Sequence, residues 1–368
     1  MRSFIQVSKP WVAPDERARV DAVLQSGMIA SGSVVVEFEE KFSTYCSCRF
    51  GIATTNGTTA LHSALNVLGI GKEDKVLTTP FTFIASTNSI AFGGAKPVFG
   101  DIDPRTYNLD PNVAREILKK KRDIKAILLV HLYGLPCDMD AFLQLKKEFG
   151  VLLIEDCAQA HGATHRGRKV GSIGDIGVFS FYATKNLTTG EGGMVVTNDE
   201  TVSQKIRKLI NHGRTGQYEH DVLGYNYRMT NIAAAIGVGQ LEKLDVNNRR
   251  RQEIAARYSK EFSSLGWLTT PYIPAGSTHV FHQYTVRIAE RERFRKYLTD
   301  NQIGSFIVYP LPNCRQPLYR GTCDCEPAGE CICRHATEAA STVLSIPVHP
   351  RLTDDEVAYI IEVIRKFE

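Results

Sequence analysis

The sequence predicts an α/β protein built on a mostly parallel, doubly wound sheet, with a smaller α/β domain after it. Three observations predict it. From about residue 50 to 200, short β-rich runs alternate with stretches of helical periodicity. Several of those runs are apolar at consecutive positions, the mark of strands covered by helices on both faces. At 368 residues the chain is also roughly two to three times the common domain length, which leaves room for a second unit.

In chain order, the expected strands are Lys75-Val76-Leu77-Thr78-Thr79, Ala126-Ile127-Leu128-Leu129-Val130, Val151-Leu152-Leu153-Ile154-Glu155, Gly177-Val178-Phe179-Ser180-Phe181 and Gly193-Met194-Val195-Val196-Thr197. Gly57-Thr58-Thr59 opens a helix whose Ala60, Leu61, Ala64, Leu65 and Leu68 fall at helical spacing, and Met139, Phe142, Leu143 and Leu145 do the same before Gly150. A long helical stretch runs from Asn231 to about Leu265 and carries Ile232, Ile236, Leu241, Leu244 and Ile254. The expected division is a large domain with an N-terminal arm at 1–249 and a small domain at 250–368. The small domain should hold a strand at Gln283–Ile288, a helix from Arg291 to Asn301, a strand at Ser305–Tyr309 and a closing helix from Asp354 to Phe367.

Hydrophobic residues at 43%, charged residues at 23% and ordinary glycine and proline counts exclude disordered and collagen-like chains. No apolar run approaches the roughly 18 residues that span a bilayer. The best, Ala126 to Leu132, already contains His131. Met1 to Pro10 shows no signal-peptide pattern, so a cytoplasmic protein is expected. The net charge of +4 is interleaved, and Arg249-Arg250-Arg251, followed by Gln252, Glu253 and apolar residues, is expected to be a solvated helix face rather than a nucleic-acid stripe. Nine cysteines are too sparse for a disulfide scaffold and are expected to be reduced.

The chemistry gathers at the carboxyl ends of the expected strands, where open α/β sheets hold ligands. Asp156 follows the run Val151 to Glu155, and a carboxylate emerging there is costly without a partner. Lys185 follows the run Gly177 to Phe181 and lies in a hydroxyl- and glycine-rich loop. Gly57-Thr58-Thr59 opens a helix, so its free N–H groups and hydroxyls make an anion cup. Together these meet the requirements of pyridoxal 5'-phosphate: a lysine for the Schiff base, an aspartate for the pyridine nitrogen, a helix N-terminus for the phosphate. Each alone has an ordinary reading, as a helix cap or a solvated loop lysine.

Asn56-Gly57-Thr58-Thr59-Ala60-Leu61, Pro80-Phe81-Thr82-Phe83-Ile84-Ala85-Ser86, Glu155-Asp156-Cys157-Ala158-Gln159-Ala160-His161-Gly162-Ala163, Ser180-Phe181-Tyr182-Ala183-Thr184-Lys185-Asn186-Leu187 and Gly224-Tyr225-Asn226-Tyr227-Arg228-Met229 closely resemble the DegT/DnrJ/EryC1/StrS family. These are nucleotide-sugar aminotransferases with the type I aspartate aminotransferase fold. The resemblance extends from Val7 to Pro350. It implies that Lys185 is the Schiff-base lysine and proton shuttle, that Asp156 pairs with the pyridine nitrogen, and that Gln159 meets the ring hydroxyl. It implies that Phe83 stacks on the cofactor and that Gly57, Thr58 and Ser180 hold its phosphate. Asn226 would reach the phosphate of a neighbouring subunit, which implies a homodimer with shared sites. Without the resemblance, Phe83 reads as core and Asn226 as a turn residue. Arg228 reads equally as a substrate contact or as part of a structural salt bridge.

Two departures bear on the sugar. Where many relatives have His-Tyr-Pro, this chain has Val308-Tyr309-Pro310, which leaves Tyr309 as the expected substrate contact. The N-terminal loop reads Ser26-Gly27-Met28-Ile29-Ala30-Ser31-Gly32, where relatives often show an aromatic residue and threonines. A third departure is the cluster Cys323, Cys325, Cys331 and Cys333, flanked by Cys314 and His335, which reads as a reduced loop or as four thiolates for zinc. The implied reaction is amino transfer from an amino acid, with glutamate the expected donor, to a keto group of a nucleotide-linked sugar. The rival is a non-catalytic regulator or nucleotide-sugar-binding protein of the same fold. Family dehydratases carry histidine in place of the lysine, and this chain keeps Lys185.

Overall fold

The computed structural model describes residues 3–320 and 333–367. Its centre is a seven-stranded sheet in the order Phe50–Thr54, Gly193–Thr197, Ile176–Ser180, Leu152–Asp156, Ile124–Val130, Lys75–Thr78, Lys96–Phe99. Strands are parallel from Ile176–Ser180 to the Lys96–Phe99 edge, and Gly193–Thr197 runs antiparallel to both its neighbours. The expected doubly wound, mostly parallel sheet is therefore present. Its pleat explains the continuous apolar runs: Ala126, Leu128 and Val130 enter one core, while Ile127 and Leu129 enter the core on the opposite face.

The two edge strands escape sequence reading. Edge strands are short and tolerate residues that interior strands exclude. Lys96–Phe99 is four residues long and contains Pro97. Phe50–Thr54 contains Gly51, where a Cβ would lie 2.6 Å from the carbonyl oxygen of Glu39.

The helix Asn231–Phe262 is 32 residues long and is capped by the Thr230 hydroxyl, which accepts from the Ala233 N–H at 3.2 Å. Its first half packs on the N-terminal helix Ser33–Tyr45, where Phe38 lies against Gly237. Its second half supplies Ile254, Ala255, Tyr258 and Phe262 to a separate core. That core is built on a three-stranded sheet, Leu268–Thr269, Tyr284–Ile288 and Val343–Ile346, with the helices Arg291–Asp300 and Asp354–Arg365.

Two expectations are corrected here. Ser305–Tyr309 is not a strand. Only Phe306 pairs, with Ser345, and the Val308 carbonyl then accepts from the Tyr133 hydroxyl instead of a neighbouring strand. The partner of Tyr284–Ile288 is Val343–Ile346. Nor is Arg249-Arg250-Arg251 a uniformly solvated face, because successive helical residues point about 100° apart. Arg249 is exposed, Arg250 pairs with Asp354 at 2.8 Å, and Arg251 is buried with its guanidinium on the carbonyls of Phe281 and Val348.

Among the described residues Cys46, Cys48, Cys137 and Cys157 are free thiols, and all six described cysteines, Cys314 and Cys333 included, are buried. Cys323, Cys325 and Cys331 lie outside the described residues. No described helix is long and apolar enough to cross a membrane.

Candidate active site

Asp156 ends the strand Leu152–Asp156 and is almost fully buried. Its Oδ2 accepts from the Ser86 hydroxyl at 2.8 Å and its Oδ1 from the Ala158 N–H at 3.1 Å. Burial raises the carboxyl pKa, opposed by those two bonds and by the charge of Lys185. Glu155, one residue earlier, points to the other face of the sheet. It accepts from the N–H groups of Gly171 (2.9 Å), Ile173 (2.8 Å) and Gly174 (2.6 Å) and faces His131 Nε2 at 3.1 Å. The Cys137 N–H donates to His131 Nδ1, so Nε2 carries the proton toward Glu155. Burial works against the Glu155 charge, yet these donors hold its pKa below the usual value. His131, Glu155 and Cys157 converge closely enough to hold a metal ion. Glu155 already accepts from four donors, which ties the loop 171–174 and His131 to the end of the strand.

Lys185 leaves the loop after Ile176–Ser180, fixed by its own N–H on the Tyr182 carbonyl at 2.9 Å. The next residue, Asn186, donates to Asn248 Oδ1 (2.9 Å) and to the Val280 carbonyl (3.0 Å), tying the loop to the long helix and to the segment before Tyr284–Ile288. The half-buried Lys185 amine has no hydrogen-bond partner among the described residues. Burial lowers its pKa to about 8, against the pull of Asp156. An amine there is about one-tenth neutral at pH 7, enough for a nucleophile that must also carry protons.

The helix Gly57–Val67 begins beside them. Asn56 caps it, accepting from the Thr59 N–H at 2.9 Å, which leaves the N–H groups of Gly57 and Thr58 at the open end. A Cβ on Gly57 would lie 2.7 Å from Ser180 Cβ, so only glycine lets the helix start against the end of the strand Ile176–Ser180. Gly57, Thr58 and Ser180 thus form one anion cup at the same sheet edge as Asp156 and Lys185. The donor set fits the requirements of pyridoxal phosphate: a cup for a dianion, a buried carboxylate and a half-buried amine.

Phe83 is 57% exposed, which removes the core reading, and its ring centroid lies 6.2 Å from that of Tyr309. Gln159 is oriented at both ends: Oε1 accepts from the Tyr133 N–H at 2.8 Å and Nε2 donates to the Tyr309 hydroxyl at 2.9 Å. Tyr309, expected at the substrate, therefore also holds Gln159.

Asn226 is exposed, and no hydrogen bond joins its side chain to the cup of its own chain among the described residues. Tyr225 and Tyr227 flank it with stacked rings 4.8 Å apart, packed on His62 of the helix Gly57–Val67. Arg228 makes no salt bridge among the described residues. It donates to Asn211 Oδ1 at 2.7 Å and lines a cavity of about 280 Å³ with Ser31 and Gly32 of the N-terminal loop. Sequence reading missed Ser86, Tyr133 and the Glu155–His131 pair, all of which act through distant contacts.

The site region rests on buried neutral histidines. Burial pushes His161 and His279 down to about 3 and His349 to about 4, and lowers His282 as well. A histidine that stays neutral when folded but takes a proton near pH 6.5 when unfolded contributes stability above that pH and loses it as pH falls toward the folded pKa. The unfolding temperature is therefore expected to be level above about pH 7.5 and to drop steeply below pH 6, with each such histidine adding a slope of about 1.4 kcal/mol per pH unit. Calorimetry across pH 8 to 5 checks this. A level profile down to pH 5 would contradict it.

The sequence profile of the DegT/DnrJ/EryC1/StrS aminotransferase family matches residues 11–365. GDP-perosamine synthase of Caulobacter vibrioides is 40% identical over 367 residues, spanning 97% of this chain and 96% of that protein. A pleiotropic regulatory protein of Geobacillus stearothermophilus is 39% identical over 357 residues, spanning 96% and 94%. Among solved structures, S. venezuelae DesV in complex with a ketimine intermediate matches with a TM-score of 0.91 at 35% identity, over 95% of this chain and 93% of that one.

Proposed function

The chain belongs to the DegT/DnrJ/EryC1/StrS aminotransferase family, and from that premise we propose that it uses pyridoxal 5'-phosphate to move an amino group from an amino acid, with glutamate the expected donor, to a keto group of a nucleotide-linked sugar. Its fold is the type I aminotransferase fold of its structural neighbours. The observation that carries the reading is the convergence of buried Asp156, the Lys185 amine near pKa 8 and the Gly57 cup on one sheet edge.

Pyridoxal phosphate, when bound, supplies a ring that takes up the negative charge developing at the donor carbon. The remaining tasks belong to the chain. The N–H groups of Gly57 and Thr58 and the Ser180 hydroxyl would hold the phosphate, Asp156 would keep a proton on the ring nitrogen, and the second N–H of Gln159 Nε2 is free for the ring hydroxyl. Phe83 would cover one ring face. Lys185 Nζ would attach the cofactor, then carry the proton from the donor carbon and return it to the sugar carbon. Tyr309 and Arg228 are the proposed sugar contacts. Borohydride reduction of the holoenzyme followed by peptide mass analysis should find the cofactor on Lys185, and cofactor on another lysine would overturn the assignment.

The name of the Geobacillus relative favours a second reading, a non-catalytic regulator. Such a regulator would show no turnover with any ketosugar.

The proposal includes a homodimer in which exposed Asn226 serves the phosphate of the neighbouring subunit. It also includes the division at 249/250, with Asn231–Phe262 contributing to both units, and a cytoplasmic location in which the buried thiols stay reduced. A phosphate hydrogen bond to a charged group is worth about 1.5 to 3 kcal/mol, so Asn226→Ala alone should weaken cofactor binding at least tenfold. Subunits carrying Lys185→Ala and Asn226→Ala then have complementary defects. After confirmed subunit exchange their mixture is expected to exceed both parents in activity, because each heterodimer regains one intact site. A mixture at the average of the parents would place Asn226 within its own subunit's site or away from the cofactor.

A further inference from the structure

Asp156 is held by a device that the aminotransferase reading does not by itself require. Ser86 lies in the first turn of the helix Ile84–Phe92, three residues after Phe83, so one helix face carries both the exposed ring and this hydroxyl. Its Oγ is 2.8 Å from Asp156 Oδ2 and 3.0 Å from Thr82 Oγ1. Thr82, Ser86 and Asp156 are all buried, at 2%, 2% and 3% exposure. Ser86 is fixed at its backbone too, its N–H donating to the Phe83 carbonyl at 3.2 Å and its carbonyl accepting from the Ser89 hydroxyl at 2.9 Å.

Proton counting gives this chain one direction. An ionised carboxylate only accepts, and a serine hydroxyl has one proton, so the Ser86 proton points at Asp156. The Ser86 oxygen must then accept the Thr82 proton. Both dipoles align toward the carboxylate, and bonds aligned in that way strengthen one another. A helical serine serving only itself would bond back to the carbonyl four residues earlier. Ser86 instead reaches across 70 residues of sequence.

We propose that Ser86, oriented by Thr82, is a positioning residue that keeps Asp156 ionised and aimed at the ring nitrogen of the cofactor. The proposal rests on the pyridoxal phosphate reading given above. Asp156 is faced by the Lys185 amine from the loop after Ile176–Ser180, by His131 from the end of Ile124–Val130 and by the Tyr309 phenol. Of these, Lys185 must gain and lose protons in the reaction, so its support for the carboxylate varies. The hydroxyl relay is uncharged and constant, and it supports Asp156 in either state of the lysine.

The test titrates the Asp156 carboxyl carbon by NMR in the full-length chain, with and without pyridoxal phosphate, and follows the ring nitrogen of isotope-labelled cofactor. Without cofactor, Ser86→Ala should raise the Asp156 midpoint by about one pH unit, a tenfold change, because a donor to the charged form is lost. Thr82→Val should shift it the same way by less, and Ser86→Thr, which keeps a hydroxyl, should restore it. With cofactor, Ser86→Ala should lower the share of the proton held on the ring nitrogen, because the carboxylate that has lost its donor competes for that proton more strongly. If Ser86→Ala does not fold, Ser86→Cys, a weaker donor, is expected to give a smaller shift of the same sign. An Asp156 midpoint unchanged in the serine variant that folds overturns the proposal, even if the cofactor is found on Lys185. A shifted midpoint in a chain that binds no pyridoxal phosphate leaves the support of the ionised Asp156 by Ser86 standing and removes the cofactor reading, and with it the aim at a ring nitrogen.

Discussion

Lys185→Ala is expected to lower amino transfer by about four orders of magnitude while the protein stays folded. The loss combines the attachment point of the cofactor with the proton carrier, and a positioned acid–base group alone is worth about 10²- to 10⁴-fold. Lys185 is the residue for this because burial has brought its amine to about 8, where both protonation states are accessible near neutral pH. Folding should survive, since its Nζ makes no hydrogen bond among the described residues and removing a desolvated cation relieves a cost. Steady-state rates with circular dichroism as the fold control check this. Activity within tenfold of the parent would mean that another group carries the proton.

Asp156→Asn is expected to keep the fold and the bound cofactor but to lose about 10²- to 10³-fold in rate, the usual scale for one preorganised charge at a reacting centre. The amide is isosteric, and its carbonyl can still accept from either Ser86 or the Ala158 N–H. It cannot supply the negative charge that keeps a proton on the ring nitrogen. Cofactor content measured beside turnover separates the two effects. Full cofactor with near-normal rate would remove Asp156 from its role, and loss of cofactor with normal rate after reloading would make it a binding residue only.

The interior of the sheet was legible because a strand buried on both faces must be apolar at every position, as Ala126 to Val130 is. Edge strands face no such demand, so Phe50–Thr54 and Lys96–Phe99 left no comparable trace. Ser305–Tyr309 carried the right residue types for a strand, but tertiary contacts gave the Val308 carbonyl to a tyrosine hydroxyl. In the site, Asp156 stood out as a charge where an apolar run ends and Lys185 as a charge in a hydroxyl- and glycine-rich loop between two apolar runs, and each such charge needs a reason. Gly57 was legible as a helix start, while its contact with Ser180 was not. Ser86, the orientation of Gln159 by Tyr133 and Tyr309, and the burial of Arg251 all depend on partners far away in sequence. Local pattern carries no signal for them.

The most direct test is to incubate the holoenzyme with nitrogen-labelled glutamate and a panel of nucleotide-linked ketosugars and to follow the label by mass spectrometry. Label is expected to enter at least one sugar nucleotide, replacing its carbonyl oxygen, with an equal amount of 2-oxoglutarate formed, and Lys185→Ala is expected to abolish both. Label that leaves glutamate without appearing in any sugar, or no release of 2-oxoglutarate with any sugar in the panel, would contradict amino transfer to a nucleotide-linked sugar.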